Sequence, residues 1–147
     1  MKETTSLDQL AQIFEGELYY NDSTQHHTIR LAYSTDASVY QELPLAVAIP
    51  ASIDDVKKLL EYAAIYGTTI IPRTAGTSLA GQVVGNGIVM DIAKKFNQIL
   101  ELNVEEKWVR VQPGVIRDDL NNYLKDFGLM FGPETSTASR AMIGGMI

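Results

Sequence analysis

The chain has 147 residues, which suits one domain or a large piece of one, and 46% of them are apolar, enough to form a packed core. Its net charge of −6 argues against nucleic acid or anionic lipid as a partner, because no stripe of Lys and Arg is available to hold phosphates. The absence of cysteine excludes disulfides, thiol catalysis and a cysteine-ligated metal or iron–sulfur centre within this stretch.

Residues 1–44 are predicted to form a short helix followed by an irregular lead-in. Ser6 is a candidate N-cap with Gln9 three residues later, and Gly16 is a candidate stop. Apolar residues recur between them at helical spacing: Leu7, Leu10, Ile13 and Phe14. Residues 19–43 are polar and mixed, with no clear period, so little regular structure is expected there. His26 and His27 lie in this stretch and are interpreted as surface residues, so no metal site is predicted.

Residues 45–72 have the pattern of a strand, a helix and a second strand. A short apolar strand at 45–49 ends at Pro50, and Ser52 then caps a helix that stops at Gly67. The expected apolar face of this helix comprises Val56, Leu59, Leu60, Ala63 and Ala64. The β-branched residues 68–72 predict a buried strand. This βαβ unit indicates that the first sheet is largely parallel.

The remaining elements complete an α+β pattern. Residues 87–91 predict a strand, and 99–102 with 108–111 predict a hairpin that turns at 104–107. A second long helix should then end at Gly128. Its apolar face is expected to comprise Ile116, Leu120, Tyr123, Leu124 and Phe127. The sequence therefore predicts a small parallel or mixed sheet flanked by helices.

The loop at residues 72–82 leaves a buried strand and is rich in small and hydroxyl residues. Such a loop can aim successive backbone N–H groups at a phosphate, and Arg73 is its single cation. The glycine spacing matches neither the dinucleotide-binding motif G-x-G-x-x-G nor the P-loop. By itself, the loop fits a phosphate-binding site and a plain surface loop about equally.

The tail at residues 131–147 has a similar composition, with hydroxyl residues, one Arg and a Gly-Gly pair. Two such stretches in one domain could hold both halves of a dinucleotide. A flexible terminus is the alternative interpretation of the tail taken alone.

Several motifs in a fixed order resemble one family. The sequence has Gly-Thr-Ser-Leu-Ala-Gly-Gln at 76–82, Val-Gln-Pro-Gly-Val at 111–115, Phe-Gly-Pro at 131–133 and Ile-Gly-Gly at 143–145. Together with residues 33–38, they resemble the FAD-binding domain of the vanillyl-alcohol oxidase / p-cresol methylhydroxylase (PCMH) type. The branch they resemble contains the glycolate oxidase subunit and the D-lactate and D-2-hydroxyglutarate dehydrogenases. The resemblance spans about residues 33–147, and residues 45–147 would be the N-terminal part of that domain.

The resemblance implies a set of cofactor-binding residues. The pyrophosphate of FAD would be wrapped by Arg73, Thr74, Ala75, Gly76, Thr77 and Ser78, with Leu79 and Gln82 beside them. The flavin side of the cleft would contain Pro133, Glu134, Thr135 and Ser136. The main chain of Ile143, Gly144 and Gly145 would contact the cofactor. Tyr33 and Asp36 are interpreted as structural residues that brace the first sheet.

The resemblance also implies how FAD is held and where the chemistry lies. Covalent branches often have a histidine where this chain has Thr77, so FAD should be held non-covalently. No catalytic residue is expected in this chain, and Glu134 is interpreted as a loop or contact residue rather than a general base. The family continues past Ile-Gly-Gly, so the chain is expected to be an N-terminal fragment, inactive alone. A subgroup adds a C-terminal iron–sulfur part, although many of its members have Cys where this chain has Ala141.

For the parent protein, the implied reaction is oxidation of a 2-hydroxy acid by hydride transfer to FAD. The implied acceptor of electrons is a quinone, a cytochrome or an electron-transfer protein. Two alternatives stay open: a non-catalytic flavin- or nucleotide-binding electron-transfer subunit, and an enolpyruvyl-sugar reductase on the same fold. No apolar run is long enough for a membrane span, and no signal peptide is evident. A cytoplasmic location is therefore expected, with the inner membrane face as a peripheral site for the parent.

Overall fold

The computed structural model of the chain describes residues 6–147, and within them a four-stranded mixed sheet forms the larger unit. Its strands are β1 (Glu17–Tyr19), β2 (Ala46–Ile49), β3 (Ile70–Arg73) and β4 (Ile88–Asp91), in the spatial order β1-β2-β4-β3. β4 is parallel to both β2 and β3, whereas β1 is antiparallel to β2. The predicted βαβ unit is confirmed, with β4 inserted between its two strands, but the expectation that its second strand is buried is wrong: β3 lies at the edge of the sheet and has no buried residue.

Three helices accompany this sheet: α1 (Ser6–Ile13), α2 (Thr24–Ala32) and α3 (Ile53–Tyr66). Residues of α1, α3, β2 and β4 form one buried cluster: Leu7, Leu10, Phe14, Ala46, Ala48, Leu59, Tyr62, Ile88 and Met90. All four residues of β2 and all four of β4 are buried, which places the core on the central strands. α2 lies against β1 and β2.

The smaller unit is a hairpin covered by a helix. β5 (Ile99–Asn103) pairs antiparallel with β6 (Trp108–Val111), as the sequence predicts, and α4 (Arg117–Lys125) follows. Leu120 and Leu124 of α4 pack with Val115 and Ile143 in a second buried cluster. The tail ends in a short 3₁₀ turn, η1 (Ile143–Gly145), which contributes Ile143 to that cluster.

The prediction that residues 19–43 lack regular structure is wrong. Glu17–Tyr19 is an edge strand of the main sheet, and Thr24–Ala32 is a helix whose N-cap, Ser23, accepts a hydrogen bond from the His26 N–H. α2 has no buried residue, so it shows no apolar periodicity in the sequence. The lead-in is thus part of the main unit, and the proposed boundary between residues 44 and 45 stays a prediction.

Three smaller predictions also need correction. Ser6 lies within α1, and its hydroxyl is 2.7 Å from the Tyr62 hydroxyl, so it is not the N-cap. On α3, Leu60 and Ala64 are exposed, while Asp55 and Tyr62 are buried in their place. α4 is shorter than expected, and two residues of its predicted apolar face, Tyr123 and Phe127, form an exposed pair of rings.

Candidate functional site

The loop that follows β3 and the tail meet at one edge of the main sheet. Arg73 ends β3 and Asp91 ends β4, and the two are register partners, so both parallel strands finish at this edge. The tail reaches it because Met142 pairs with Ile116 and the Ala141 carbonyl accepts from the Arg117 N–H at 2.9 Å. Ligands of open parallel sheets bind beyond the carboxyl ends of the strands, which makes this edge the candidate site.

A cleft of about 430 Å³ lies between the loop and the tail. Nine of the predicted site residues line it: Thr74, Ala75, Gly76, Thr77, Ser78, Gln82, Thr135, Ser136 and Gly145. A Cβ added to Gly145 would lie only 3.1 Å from the Thr74 hydroxyl oxygen, so the tail runs directly beside the loop. Stretches about sixty residues apart in sequence therefore form opposite walls of one cleft.

The other six predicted site residues lie outside that cleft. Leu79 is 80% exposed, and Ile143 is buried in the second core cluster. Pro133 and Glu134 are held by Arg117, which donates to the Pro133 carbonyl at 3.2 Å and pairs with Glu134 at 3.3 Å. The remaining two are Arg73, which lines an adjoining cleft, and Gly144, which rests on Pro113.

The backbone N–H groups of the Ile-Gly-Gly turn are already engaged within the chain. The N–H of Ile143 donates to Val115, that of Gly144 to Pro113, and that of Gly145 to Met142, at 2.9, 2.9 and 3.0 Å. These bonds hold the tail against the hairpin unit. In this conformation the turn can offer a ligand only its carbonyl oxygens and a close approach of its backbone. N–H donors for a ligand are therefore expected from other parts of the cleft, such as the loop, rather than from this turn.

Ser78 organises the second half of the loop. Its hydroxyl oxygen accepts hydrogen bonds from the N–H groups of Ala80 at 3.2 Å and Gln82 at 3.4 Å, and the hydroxyl donates to the Gln82 side chain. These bonds turn the chain back on itself after residue 78. Thr74 and Thr77 are the other hydroxyl side chains that the loop presents to the cleft.

A second cleft, of about 580 Å³, adjoins the first and shares Thr74, Ala75 and Met142 with it. It contains polar residues that the sequence did not single out as ligands: Tyr33, Asp91, Lys94, Asn97 and Asp119. For two of them the signal in the sequence was their position, because Asp91 ends a parallel strand and Lys94 follows it closely. The two clefts together form one groove, which has the start of the loop where they meet.

The polar core of the second cleft is a hydrogen bond from the Tyr33 hydroxyl to the Asp91 carboxylate, at 2.5 Å. The other oxygen of Asp91 accepts from the Ala93 N–H at 3.0 Å. Burial, followed by the bond to Asp91, raises the pKa of Tyr33 well above its ordinary value. Tyr33 therefore stays a protonated donor at neutral pH.

Residues 6–147 contain neither a cluster of metal-ligating side chains nor a helix that could cross a membrane. No group of three or more His, Cys, Asp or Glu side chains there is placed to hold a metal ion. The Nδ1 atom of His26 accepts from the N–H groups of Tyr20 at 3.1 Å and Asn21 at 3.3 Å, a structural arrangement. None of the helices in this range has the length and apolar character needed to cross a membrane.

Comparison with known proteins identifies the class. A family model described as an FAD binding domain matches residues 44–147. The D-2-hydroxyglutarate dehydrogenase of Haemophilus influenzae is 43% identical over an alignment of 145 residues. The match covers 96% of this chain and 14% of that protein. The glycolate oxidase subunit of Bacillus subtilis is 36% identical over 143 residues, which are 95% of this chain and 29% of that subunit.

Among solved structures, an alkyldihydroxyacetonephosphate synthase superposes with a TM-score of 0.75 at 18% identity, over 95% of this chain and 27% of its own, a likeness of fold alone. The chain therefore belongs to the FAD binding domain family, and the resemblance and fold class predicted from the sequence are confirmed. The chain spans 14% of the length of the D-2-hydroxyglutarate dehydrogenase of H. influenzae.

The groove has the donor set that FAD requires. A dinucleotide needs N–H and hydroxyl donors at its phosphates and room for a ring system on each side. The half-buried loop at 74–78 offers backbone N–H and hydroxyl groups, and its first residues line both clefts. The residues present fit FAD.

Proposed function

We propose that the natural protein containing this chain is an FAD-dependent dehydrogenase or oxidase acting on a 2-hydroxy acid of the lactate, glycolate or 2-hydroxyglutarate class. The observation that carries the proposal is the 43% identity, over nearly the whole chain, to a D-2-hydroxyglutarate dehydrogenase. The groove supports it, because two of the sequence motifs that resemble that branch, in the loop and the tail, line opposite walls of one of its clefts.

In this proposal the chain contributes to binding and orientation of the cofactor. The backbone and hydroxyl groups of residues 74–78 receive the pyrophosphate, with Gln82 and the tail residues Thr135, Ser136 and Gly145 facing them across the cleft. When bound, FAD supplies a two-electron acceptor for the hydride of the substrate. No side chain of this chain is assigned a proton-transfer role, and Glu134 serves as an ion-pair partner of Arg117.

The proposed FAD is held non-covalently. Thr77 occupies the position where a histidine attaches the flavin in covalent branches, and neither cleft is lined by His or Cys in the part of the chain the structure describes. Tyr33 is the one phenol in the groove so described, and its hydroxyl is bound to Asp91. Its raised pKa makes it a poor nucleophile.

The test is made on the natural protein purified in full length. It should carry FAD that appears in the supernatant after acid precipitation and should reduce an artificial electron acceptor with D-2-hydroxyglutarate, D-lactate or glycolate. Flavin left in the precipitate would contradict non-covalent binding. Bound FAD without turnover of any of the three acids would favour an electron-relay subunit, and NADPH-dependent reduction of an enolpyruvyl sugar would favour the reductase.

The partners beyond the substrate are proposed on the same basis. The electron acceptor is a quinone, a cytochrome or an electron-transfer protein, and one relative of this chain is named mitochondrial D-lactate dehydrogenase (cytochrome). A cytoplasmic location, an iron–sulfur part outside this stretch and the inactivity of the fragment alone stay predictions from the sequence.

A further inference from the structure

The guanidinium of Arg73, a residue that also lines the second cleft, is bound to an earlier segment of the chain. Nη1 donates to the carbonyl oxygen of Thr35 at 2.7 Å and is 3.3 Å from that of Tyr33. Its Cζ atom lies 5.1 Å from the centroid of the Tyr33 ring, in cation–π range. Two backbone carbonyls and one aromatic ring are thus partners of this cation.

The loop rests on the other side of the same guanidinium. A Cβ added to Gly76 would lie 2.5 Å from Nη2, so the turn at residue 76 packs against Arg73 with no room for a side chain. Gly76 also has φ +66°, a left-handed conformation that glycine adopts without strain. The position of the Arg73 guanidinium therefore restricts the shape of this turn.

The support beneath Arg73 is itself anchored to the sheet. The Tyr33 hydroxyl donates to Asp91 at the end of β4, and Asp91 is the register partner of Arg73. The neighbouring Asp36 adds negative charge: burial would raise its pKa, but hydrogen bonds from Ser38 and the charge of Arg73 lower it. The contacts form a closed ring joining the ends of β3 and β4, residues 33–36 and the loop.

We propose that Arg73 is a positioning residue, which holds the turn at Gly76 from below so that the backbone of residues 74–78 receives the cofactor phosphates, and that its guanidinium does not itself bind them. The inference rests on the proposed function, since it presumes that this loop binds FAD. A lysine cannot replace it, because one ammonium lacks the planar fork that bridges two carbonyls while stacking on a ring.

The first experiment measures the Kd of FAD for the full-length natural protein, stripped of flavin, with Arg73→Lys, Arg73→Met and Arg110→Lys. Arg110 is an exposed arginine paired with Glu101 on the hairpin and serves as the matched control. Both Arg73 variants should bind FAD about tenfold or more weakly, and within about threefold of each other, with Arg110→Lys unchanged. Near-normal affinity in Arg73→Lys would overturn the proposal, because charge alone would then suffice.

The dependence of Kd on salt separates positioning from direct contact. If Arg73 contacts no phosphate, the slope of log Kd against log salt concentration should be the same in Arg73→Met as in wild type. A shallower slope in the variant would show that a screened charge contact with the ligand had been lost, and would overturn the proposal. Failure of the wild-type protein to bind FAD is a different result, because it rejects the proposed function itself.

A double-mutant cycle with Gly76→Ala tests the contact directly. The new Cβ meets Nη2 only when the guanidinium is present, so Gly76→Ala should weaken FAD binding by a larger factor in wild type than in Arg73→Met. Equal factors in the two backgrounds would overturn the proposal. The thermal midpoint of each stripped variant identifies any that fails to fold, and the cycle can be repeated with Arg73→Lys in that case.

Discussion

At the scale of single residues, Asp55 is the buried carboxylate with the most extensive backbone hydrogen bonding in the part of the chain described. Its two oxygens accept from the N–H groups of Glu15, Gly16 and Ala51 at 3.0, 2.8 and 3.1 Å. Burial alone would raise its pKa, but these donors and Lys58 lower it below its ordinary value of 3.8. One side chain thus fixes the chain after α1 to the start of α3.

Asp55→Asn should destabilise the folded chain at neutral pH by about 2–4 kcal/mol, because an amide group would face N–H donors that now bind a carboxylate. The pKa of Asp55 is lower in the folded chain than in the unfolded chain. The stability that its carboxylate contributes is therefore complete above the unfolded pKa and is lost as the pH falls through the folded pKa. Urea unfolding at a series of pH values should show a gap between wild type and variant that is constant from about pH 7 to about pH 5 and narrows below about pH 4.

Asp54→Asn is the matched control for this prediction. Asp54 is the neighbouring residue, exposed and paired with Lys57 at 2.9 Å, and its removal should change stability little. A gap for Asp55→Asn that stayed constant through acidic pH would contradict the assigned role of its charge.

Arg73 illustrates what the sequence left open about a single side chain. The pattern placed a cation at the start of a loop rich in small residues, and the structure bears that placement out. The direction of the guanidinium could not be predicted, because its partners are backbone carbonyls 38 and 40 residues earlier, and a carbonyl has no residue signature. A short-range motif thus identified the loop but not the support beneath it.

At the scale of elements, the sequence predicted a helix or strand where it has capping residues and a buried apolar face. α3 was predicted at both ends because Ser52 and Gly67 are residue types that begin and end helices. In the structure Ser52 accepts a hydrogen bond from the Asp55 N–H, and Gly67 adopts a left-handed φ of 64°. α2 was missed although Ser23 caps it, since none of its residues is buried and no apolar period reveals it. β1 is only three residues long and gains its pairing from β2, a contact that no local pattern encodes.

Gly67→Ala should destabilise the chain by about 1 kcal/mol, measured by urea unfolding. No atom lies within 4 Å of the position its Cβ would take, so the cost would come from the left-handed backbone alone. Gly132→Ala is the control: its Cβ position is equally open, but its φ is not in the left-handed region. The assignment of strain would be contradicted if both substitutions had the same effect.

At the scale of the whole molecule, the site lies where two separately packed units meet. The loop at 74–82 leaves the main sheet, whereas the tail is packed against the hairpin and α4. A close approach joins the units: the Gly114 N–H donates to the Phe96 carbonyl at 2.7 Å, and a Cβ there would lie 2.5 Å from the Ala93 carbonyl oxygen. The sequence predicted both walls of the cleft, but their distance depends on this junction of backbones.

Because the two units are packed separately, we expect a substitution in the core of one unit to destabilise that unit more than the other. Leu59 lies in the cluster of the main sheet and Leu120 in that of the hairpin, both almost fully buried, so each change to Ala should cost about 2–5 kcal/mol within its own cluster. Trp108 is the single tryptophan of the chain and lies in β6, so its fluorescence reports the hairpin unit.

Leu120→Ala should therefore lower the urea midpoint of unfolding that is followed by Trp108 fluorescence. Leu59→Ala should lower this fluorescence midpoint less, but it should clearly lower the midpoint that is followed by far-UV circular dichroism. The physical reason is that the two clusters are separate and that the units meet at a backbone junction and a groove. Equal shifts of the fluorescence midpoint in the two variants would show that the units unfold as one. The groove would then be a rigid feature of a single core, rather than a junction whose width can change when a ligand binds across it.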